Sequence, residues 1–308
     1  MEKKILITGT DGFVGSALKS HFLEAGFQVF GTTFFREPND DKEIQFNILE
    51  KENLSTLLNN EKFDTIIHTI GIVDQTKPKE LLFAVNAFGT KNVCEYAKSI
   101  NCKHLIFTSS VSVYGLKTLG EDRTESNVKR KFQRFFPPYG RSKAMAEKFI
   151  EQSGLQYTIL RLPMILGQND TFISPSIIPK LLDDTIFACG KVKKKVSLLY
   201  IKNLGPIIEK LVEIGPLNHS FNCTSDTILW DDLVRQYALE LKVEYKPKKR
   251  HILSCLNHSN DRNYQLIATF SAFGAHYSSQ LLQKYIDEKI PYYDWREGIK
   301  EAVEEYLR

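Results

Sequence analysis

Short apolar stretches alternate with longer amphipathic ones through the first half of the chain. Lys4 to Thr8 has the pattern of a short buried strand. Phe13 to Ala25 carries Val14, Ala17, Leu18 and Phe22 near the 3.6-residue spacing of a helix, and Gly26 stops it. The same reading predicts a strand over Gln28 to Phe34, a helix over Leu54 to Asn60 and a strand over Thr65 to Thr69. A long helix follows over Glu80 to Lys98, then a strand over His104 to Ser109. Tyr139 to Ser153 is predicted helical, with Ala144, Phe149 and Ile150 able to face a sheet, and Thr158 to Leu162 is a further strand. Apolar strands separated by amphipathic helices predict an α/β fold, a parallel sheet covered on both faces.

After Pro163 the pattern loosens, with prolines at 175, 179 and 216. Ser197 to Ile201 reads as a late strand returning to the sheet, followed by a helix near Leu204 to Val212. The expected division is a first domain over 1–166, rejoined by about 197–225, and a smaller one made of 167–196 and 226–308. Trp230 and Trp295 read as anchors of the smaller unit. Its last helix is expected over Trp295 to Leu307, with Ile299, Val303 and Tyr306 on one face.

Composition narrows the class only a little. Of the 308 residues, 42% are hydrophobic and 25% charged, which excludes wholesale disorder. No apolar run approaches the roughly 18–20 residues of a bilayer span. Met1-Glu2-Lys3-Lys4 runs straight into Ile5-Leu6-Ile7, too short an apolar segment for a signal peptide. Cys94, Cys102, Cys189, Cys223 and Cys255 form no CxxC pair and read as free thiols of a reducing, cytoplasmic compartment. No His/Cys/Asp cluster has metal-site spacing, so no metal is expected. The net charge of +4 is weak, and three short basic runs, at Lys129–Arg134, Lys191–Lys195 and Lys246–Arg250, carry no nucleic-acid motif. Neither a nucleic acid nor a membrane is an expected partner.

Gly9-Thr10-Asp11-Gly12-Phe13-Val14-Gly15 follows the first strand and opens the first helix. Gly9 can make the tight turn, Gly12 can admit a pyrophosphate and Gly15 can let the helix pack on the sheet. The N–H groups of the helix start would face the phosphates, so a dinucleotide is expected here. The spacing is GxxGxxG rather than GxGxxG. No acid ends the second strand, where an NAD site often places one for the ribose. Thr33 could donate to a 2′-phosphate and Arg36 could pair with it, which favours NADP(H) over NAD(H). Asn47 is a candidate partner of the adenine.

Tyr139 and Lys143 are four residues apart and share a helical face. A nearby ammonium lowers a tyrosine pKa, and such a phenol can protonate a developing alkoxide or deprotonate an alcohol. Ser110 follows the fourth strand, at the edge where open α/β sheets bind ligands, and could hold the substrate oxygen against Tyr139.

With Asn86-Ala87-Phe88-Gly89-Thr90, Ser109-Ser110-Val111-Ser112-Val113-Tyr114-Gly115, Pro138-Tyr139-Gly140-Arg141-Ser142-Lys143 and Arg161-Leu162-Pro163, the chain resembles the extended short-chain dehydrogenase/reductase family. The resemblance is to its nucleotide-sugar epimerase, dehydratase and reductase branch. It implies a Rossmann-type doubly wound sheet with a smaller C-terminal substrate domain. It also implies Tyr139 as acid/base, Lys143 on the nicotinamide ribose and Ser110 on the carbonyl. Asn86 would help order the site, and Leu162 and Pro163 would lie beside the nicotinamide. His68 takes the family position beside the cofactor and is read as packing with a backbone hydrogen bond, not as a catalyst. Such proteins are often homodimers through a four-helix contact. Here the helices beginning near Phe88 and Tyr139 would provide it, unless they pack only on the parent sheet.

Departures restrict the function. The family's 4,6-dehydratases carry Asp-Glu after the catalytic hydroxyl, where this chain has Val111 and Ser112. Nucleotide-sugar members often carry Arg-Asp before the late strand, where this chain has Val196 and Ser197, with Lys195 nearest. Leu198 to Leu204 also resembles the 3β-hydroxysteroid dehydrogenase branch. The leading expectation is an NADPH-dependent reductase of a keto group on a nucleotide-linked 4-keto-6-deoxy sugar. The alternatives are a nucleotide-sugar epimerase, an oxidoreductase of a small apolar ketone or alcohol, and a non-catalytic nucleotide-binding subunit.

Overall fold

The computed structural model describes residues 4–50, 54, 58, 61–115, 122–127, 137–189, 193–251, 261–286 and 290–308. The strands are β1 (Lys4–Thr8), β2 (Gln28–Thr33), β3 (Glu43–Gln45), β4 (Thr65–His68), β5 (His104–Ser110), β6 (Asp122–Arg123), β7 (Tyr157–Leu162), β8 (Met164–Leu166), β9 (Phe187–Cys189), β10 (Lys195–Tyr200), β11 (His219–Asn222), β12 (Asp226–Leu229), β13 (Lys248–Arg250) and β14 (His276–Tyr277). The helices are α1 (Phe13–Glu24), α2 (Lys79–Phe83), α3 (Thr90–Ser99), α4 (Pro138–Glu151), α5 (Ser174–Leu182), α6 (Ile201–Ile214), α7 (Trp230–Leu241), α8 (Arg262–Phe273), α9 (Gln280–Gln283) and α10 (Trp295–Tyr306).

Seven strands form one sheet in the order β11-β7-β5-β4-β1-β2-β3, and every pairing within it is parallel. Alternate residues of β1 feed opposite faces, as strand geometry requires. Ile5 and Ile7 join one core with Leu18 and Phe22 of α1 and Leu204 and Ile208 of α6. Leu6 joins the other, with Val93 and Ala97 of α3 and Ala146 and Ile150 of α4. Helices on both faces of a parallel sheet whose order reverses between β1 and β4 make the doubly wound α/β fold expected from the sequence. The reversal opens a crevice at the carboxyl ends of β1 and β4.

The first core continues without a break into the rest of the chain. It takes in Ile177 of α5, Trp230 and Tyr237 of α7, Ile267 of α8 and Ile299 and Val303 of α10. Trp230 and Trp295 are both buried within it, whereas Tyr306, expected on the same face as Ile299 and Val303, is exposed.

Three expectations change. Ser197–Ile201 does not return to the main sheet. Its residues lie mainly in β10, in a three-stranded sheet between β8 and β12, and β11 takes the edge of the main sheet instead. The cause begins at Pro163, which has no N–H for the ladder; the chain leaves the main sheet there and β8 carries it to the second. The long helix over Glu80–Lys98 is interrupted by a π-helical segment, Ala84–Gly89. The cysteines are not all free: Cys94, Cys102 and Cys223 are buried thiols, but Cys189 is disulfide-bonded. The expected helix beyond Leu54, the basic run at Lys129–Arg134 and Cys255 lie outside the described residues, as do Lys191 and Val192. Among the described residues, no helix is long and apolar enough to cross a membrane.

Candidate active site

The glycine loop sits where the sheet order reverses. Gly9 turns the chain at φ +79°, and its N–H donates to the Thr32 carbonyl (3.0 Å) and hydroxyl (3.0 Å) on β2. A Cβ on Gly15 would lie 2.0 Å from the Gly9 carbonyl oxygen, so only glycine lets α1 start this close to the turn. A Cβ on Gly12 would meet nothing within 4 Å except that same oxygen, at 3.3 Å. The loop is therefore a shallow cradle at a helix N-terminus, the shape that receives a pyrophosphate. Phe13 and Val14 form the first turn of α1 and pack on the core beneath. A cleft of about 820 Å³ opens from Thr10–Phe13 along the outer face of α1, toward Asn169–Pro175 and the end of α10. Ser110, Tyr139 and Lys143 lie outside its lining.

At the end of β2, Arg36, expected as the partner of a 2′-phosphate, forks onto Glu43, Nη1 to Oε2 at 2.7 Å and Nη2 to Oε1 at 2.8 Å, and it also lines the cleft. Asp11 reaches across from the glycine loop and accepts the backbone N–H groups of Phe34 and Phe35, both at 2.6 Å. Among the described residues, the Thr33 hydroxyl is buried without a hydrogen-bond partner. Asn47 is engaged in a local turn, donating to Glu50 (2.7 Å) and accepting from the Leu49 N–H (3.1 Å).

Ser110, Tyr139 and Lys143 come together at the end of β5. The Ser110 hydroxyl oxygen accepts the Ser112 N–H at 3.2 Å, and Ser110 also hydrogen-bonds the phenol of buried Tyr139. Tyr139 is carried by the first turn of α4, which Pro138 opens. A Cβ on Gly140 would lie 2.4 Å from the Ser112 carbonyl oxygen. That contact lets the helix start rest against the serine turn. Lys143, one turn on, donates from Nζ to the Thr108 carbonyl at 2.8 Å and lies 4.5 Å from the centre of the Phe107 ring.

The electrostatics depart from the simple tyrosine–lysine expectation. Burial raises the Tyr139 phenol, and the Ser110 hydrogen bond pulls it only partly back. Burial lowers Lys143 to about 7, against the attraction of Glu147. The ammonium is held by a backbone carbonyl and does not count among the groups that set the tyrosine.

Two residues order this constellation from behind. Asn86, in the π-helical segment, is fully buried; it exchanges hydrogen bonds with Ile72 (2.7 and 3.0 Å) and donates to the Ser142 hydroxyl at 3.0 Å. His68 is equally buried, but its partners are hydroxyls rather than backbone: Nδ1 meets Thr8 at 2.7 Å and Nε2 meets Thr90 at 3.0 Å. Burial and the charge of Lys143 lower it to about 3, which keeps it neutral. Leu162 is the register partner of Ser110 across β5 and β7, and Pro163 follows it.

Sequence reasoning missed Glu43 and Glu147. Glu147 lies one turn beyond Lys143 on α4 and grips Arg161 of β7, locking that helix to the sheet. Its spacing of i+4 from Lys143 was the available signal. Among the described residues, no group of His, Cys, Asp and Glu is placed to hold a metal ion.

Residues 5–223 match the NAD dependent epimerase/dehydratase family. The chain belongs to that family. It is 27% identical over 260 residues to a dTDP-D-glucose 4,6-dehydratase of Dictyostelium discoideum, covering 73% of this chain and 58% of the relative. It is 26% identical over 212 residues to a 2-alkyl-3-oxoalkanoate reductase of Shewanella oneidensis, covering 64% of this chain and 54% of the relative. The chain thus aligns with little more than half of these relatives' length. The fold matches that of the Bordetella bronchiseptica enzyme WbmH, crystallised with NAD+, at TM-score 0.80 and 18% identity, over 100% of this chain and 99% of that one. The family is one of NAD-dependent enzymes, and its members include sugar-nucleotide enzymes and reductases of other ketones.

Proposed function

We propose that this protein interconverts a secondary alcohol and a ketone on a nucleotide-linked sugar. The carrying observation is the convergence of Ser110, Tyr139 and Lys143 at the sheet edge beside a glycine cradle. The residues fit a dinucleotide: Gly12 leaves the cradle open, and the buried Thr33 hydroxyl, without a partner among the described residues, lies at the end of β2, where a ribose would be held. When bound, a nicotinamide supplies or accepts the hydride at the substrate carbon. Tyr139, kept protonated by burial, donates its proton to the oxygen as negative charge develops there, or takes it back in the reverse direction. Ser110 donates to the same oxygen and holds it against the phenol. Lys143 would hold the nicotinamide ribose, and Leu162 and Pro163 would lie beside the ring. Val111 and Ser112 bring no carboxylate, which argues against water elimination despite the dehydratase relative.

Net reduction of a 4-keto-6-deoxy sugar drew its support from the apparent NADP preference. The Arg36–Glu43 pair engages the residue that reason rested on, which supports a second reading, epimerisation through a transient ketone with retained NAD. The smaller unit over 167–196 and 226–308 is the part expected to carry the nucleotide sugar. A homodimer belongs to the same reading, with half-exposed Phe88 in ring contact with Phe149 at 5.9 Å. The test is incubation of purified protein with a nucleotide-linked 4-keto-6-deoxy sugar and NADH or NADPH, and separately with a nucleotide-linked hexose, followed by mass and product stereochemistry. A two-hydrogen gain with matching loss of reduced cofactor establishes the reductase. A new stereoisomer without cofactor loss establishes the epimerase. Turnover of apolar ketones alone would sink the sugar assignment.

A further inference from the structure

A line of buried hydrogen bonds runs from the glycine loop to the helix that carries Tyr139 and Lys143. The Thr69 N–H donates to the Thr8 hydroxyl oxygen (3.3 Å), and Thr8 is the last residue of β1, next to Gly9. The Thr8 hydroxyl meets His68 Nδ1 (2.7 Å), and His68 Nε2 meets the Thr90 hydroxyl (3.0 Å). Thr90 donates to the Asn86 carbonyl (2.7 Å), and the Asn86 side-chain amide donates to the Ser142 hydroxyl (3.0 Å). Ser142 donates in turn to the Tyr139 carbonyl (2.8 Å). We propose that His68 is a positioning residue: as the Nε2–H tautomer it gives this line a single direction and ties the glycine loop to the mounting of Tyr139. The proposal rests on the catalytic reading of Tyr139 and gives His68 a part in holding the site, not in the proton transfer.

The tautomer follows from what stands at the two ends of the ring. A carbonyl oxygen only accepts, so the one proton of the Thr90 hydroxyl is spent on Asn86. Thr90 must then accept from His68, which puts the ring proton on Nε2. A neutral imidazole has one N–H, so Nδ1 carries the lone pair and accepts from the Thr8 hydroxyl. Thr8 accepts from the Thr69 N–H, a group that only donates. Every bond therefore points the same way, and each polarises the next. The other tautomer would face a bare Nε2 with a Thr90 oxygen whose proton is already given away.

The line lies where packing leaves little slack. Thr8, His68, Asn86, Thr90 and Ser142 are all fully buried. At the loop end, the Thr69 hydroxyl donates to the Thr8 carbonyl (2.6 Å), and a Cβ on Gly15 would lie 2.9 Å from that hydroxyl. Thus α1 starts directly over this threonine. At the helix end, Ser142 is next to Lys143, and its bond to the Tyr139 carbonyl lies within the first turn of α4. The His68 ring is itself held, stacked on Phe107 with centroids 5.4 Å apart and 22° between the planes, and Phe107 is the ring that Lys143 approaches. A broken link in such a line leaves a donor or acceptor that no water replaces, so the neighbours must shift to satisfy it.

The tautomer is read by two-bond proton–nitrogen correlation of the imidazoles in the 15N-labelled full-length chain at pH 7. The His68 signals are those missing from His68→Gln. A protonated Nε2 and a bare Nδ1 are expected; a proton on Nδ1, alone or with Nε2, overturns the proposal. The mounting is read from hydrogen exchange of the Asn86 side-chain amide and from turnover. Thr90→Val keeps the shape but removes the hydroxyl, and should speed that exchange and lower kcat by about 10-fold or more each, with KM within about 2-fold. Thr90→Ser keeps the hydroxyl and should bring both back to within about 3-fold of the native chain. His68→Gln, whose amide can donate from the Nε2 position, should lose less than His68→Asn, which reaches only Thr8. Combining His68→Asn with Thr90→Val should cost no more than either alone, because both break one link; additive losses overturn the proposal. Native exchange and kcat in Thr90→Val, or equal losses in the valine and serine variants, overturn it as well. If circular dichroism shows that His68→Asn does not fold, the Thr90 variants decide. If no nucleotide-linked sugar turns over, the sugar reading falls, while the tautomer and the Asn86 exchange still decide on His68.

Discussion

The Arg161 guanidinium is forked onto the Glu147 carboxylate, Nε to Oε1 at 3.0 Å and Nη2 to Oε2 at 2.9 Å, with both side chains 3% exposed. The Ser109 hydroxyl adds a third bond to Oε1 at 2.7 Å, and the Tyr114 hydroxyl accepts from Arg161 at 3.1 Å. The pair joins the strand end at β7 to the helix that bears Tyr139 and Lys143. Removing one charge strands the other in the core, a loss of about 3 kcal/mol or more. Glu147→Gln should therefore lower stability by that order in a urea titration. It should also lower the Lys143 pKa further, since Glu147 is the group that favours the ammonium. A variant as stable as the native chain would show that the pair does not hold the helix.

Tyr139→Phe removes only a hydroxyl from a fully packed ring. Its loss should cut turnover about 10²- to 10⁴-fold, the contribution typical of a positioned proton donor. NAD+ binding measured by calorimetry should change little, because the cradle is built from other residues. Unchanged turnover would instead support a binding protein without catalysis.

Gly15 and Gly12 should separate folding from binding. A Cβ on Gly15 collides with the Gly9 carbonyl at 2.0 Å, so Gly15→Ala should destabilise the chain by about 2 kcal/mol or more. Gly12 meets that oxygen only at 3.3 Å. Gly12→Ala should stay folded in thermal denaturation yet weaken NAD+ binding about 10-fold or more, because the methyl occupies the approach of the pyrophosphate. Equal melting losses in the two variants would contradict this division.

The glycine loop, the Ser110–Tyr139–Lys143 set and the parallel sheet were legible because each rests on local spacing. Residues four apart share a helix face whatever the rest of the chain does, and alternating strand and helix patterns survive without tertiary information. The Arg36–Glu43 pair was not legible because Glu43 lies on a three-residue strand too short to show a pattern. Nothing local marks an acid for burial; only the convergence of Thr10, Lys19 and Arg36 on it does. The destination of β10 was hidden for a related reason. Its run of buried residues satisfies either sheet equally, and the choice is made by Pro163 and by the antiparallel partner β12. The break at Ala84–Gly89 is likewise tertiary: it places Asn86 against both Ile72 and Ser142.

Lys143 gives the stability of the fold a specific dependence on pH. The unfolded lysine keeps its proton up to its ordinary value of 10.5, whereas burial releases it near 7 in the folded chain. Between those values the unfolded state binds more protons, so stability rises with pH. The buried histidines do not interfere: His68 and His104, lowered to about 3 and about 4 by burial, exert their effect below 6.5. The buried thiols Cys94, Cys102 and Cys223, raised to about 12, 11 and 12, act in the opposite sense only as pH climbs through 9. The window from pH 7 to 8.5 therefore isolates the lysine. Urea titrations across it should show a gain of about 1–2 kcal/mol, near the limit of roughly 1.4 kcal/mol per pH unit for one proton. Lys143→Met, which fills the same space without a charge, should flatten the slope and raise stability at pH 7 while abolishing turnover. An equal slope in native and variant chains would mean that Lys143 stays charged in the folded protein, held by Thr108 and Glu147 against its burial.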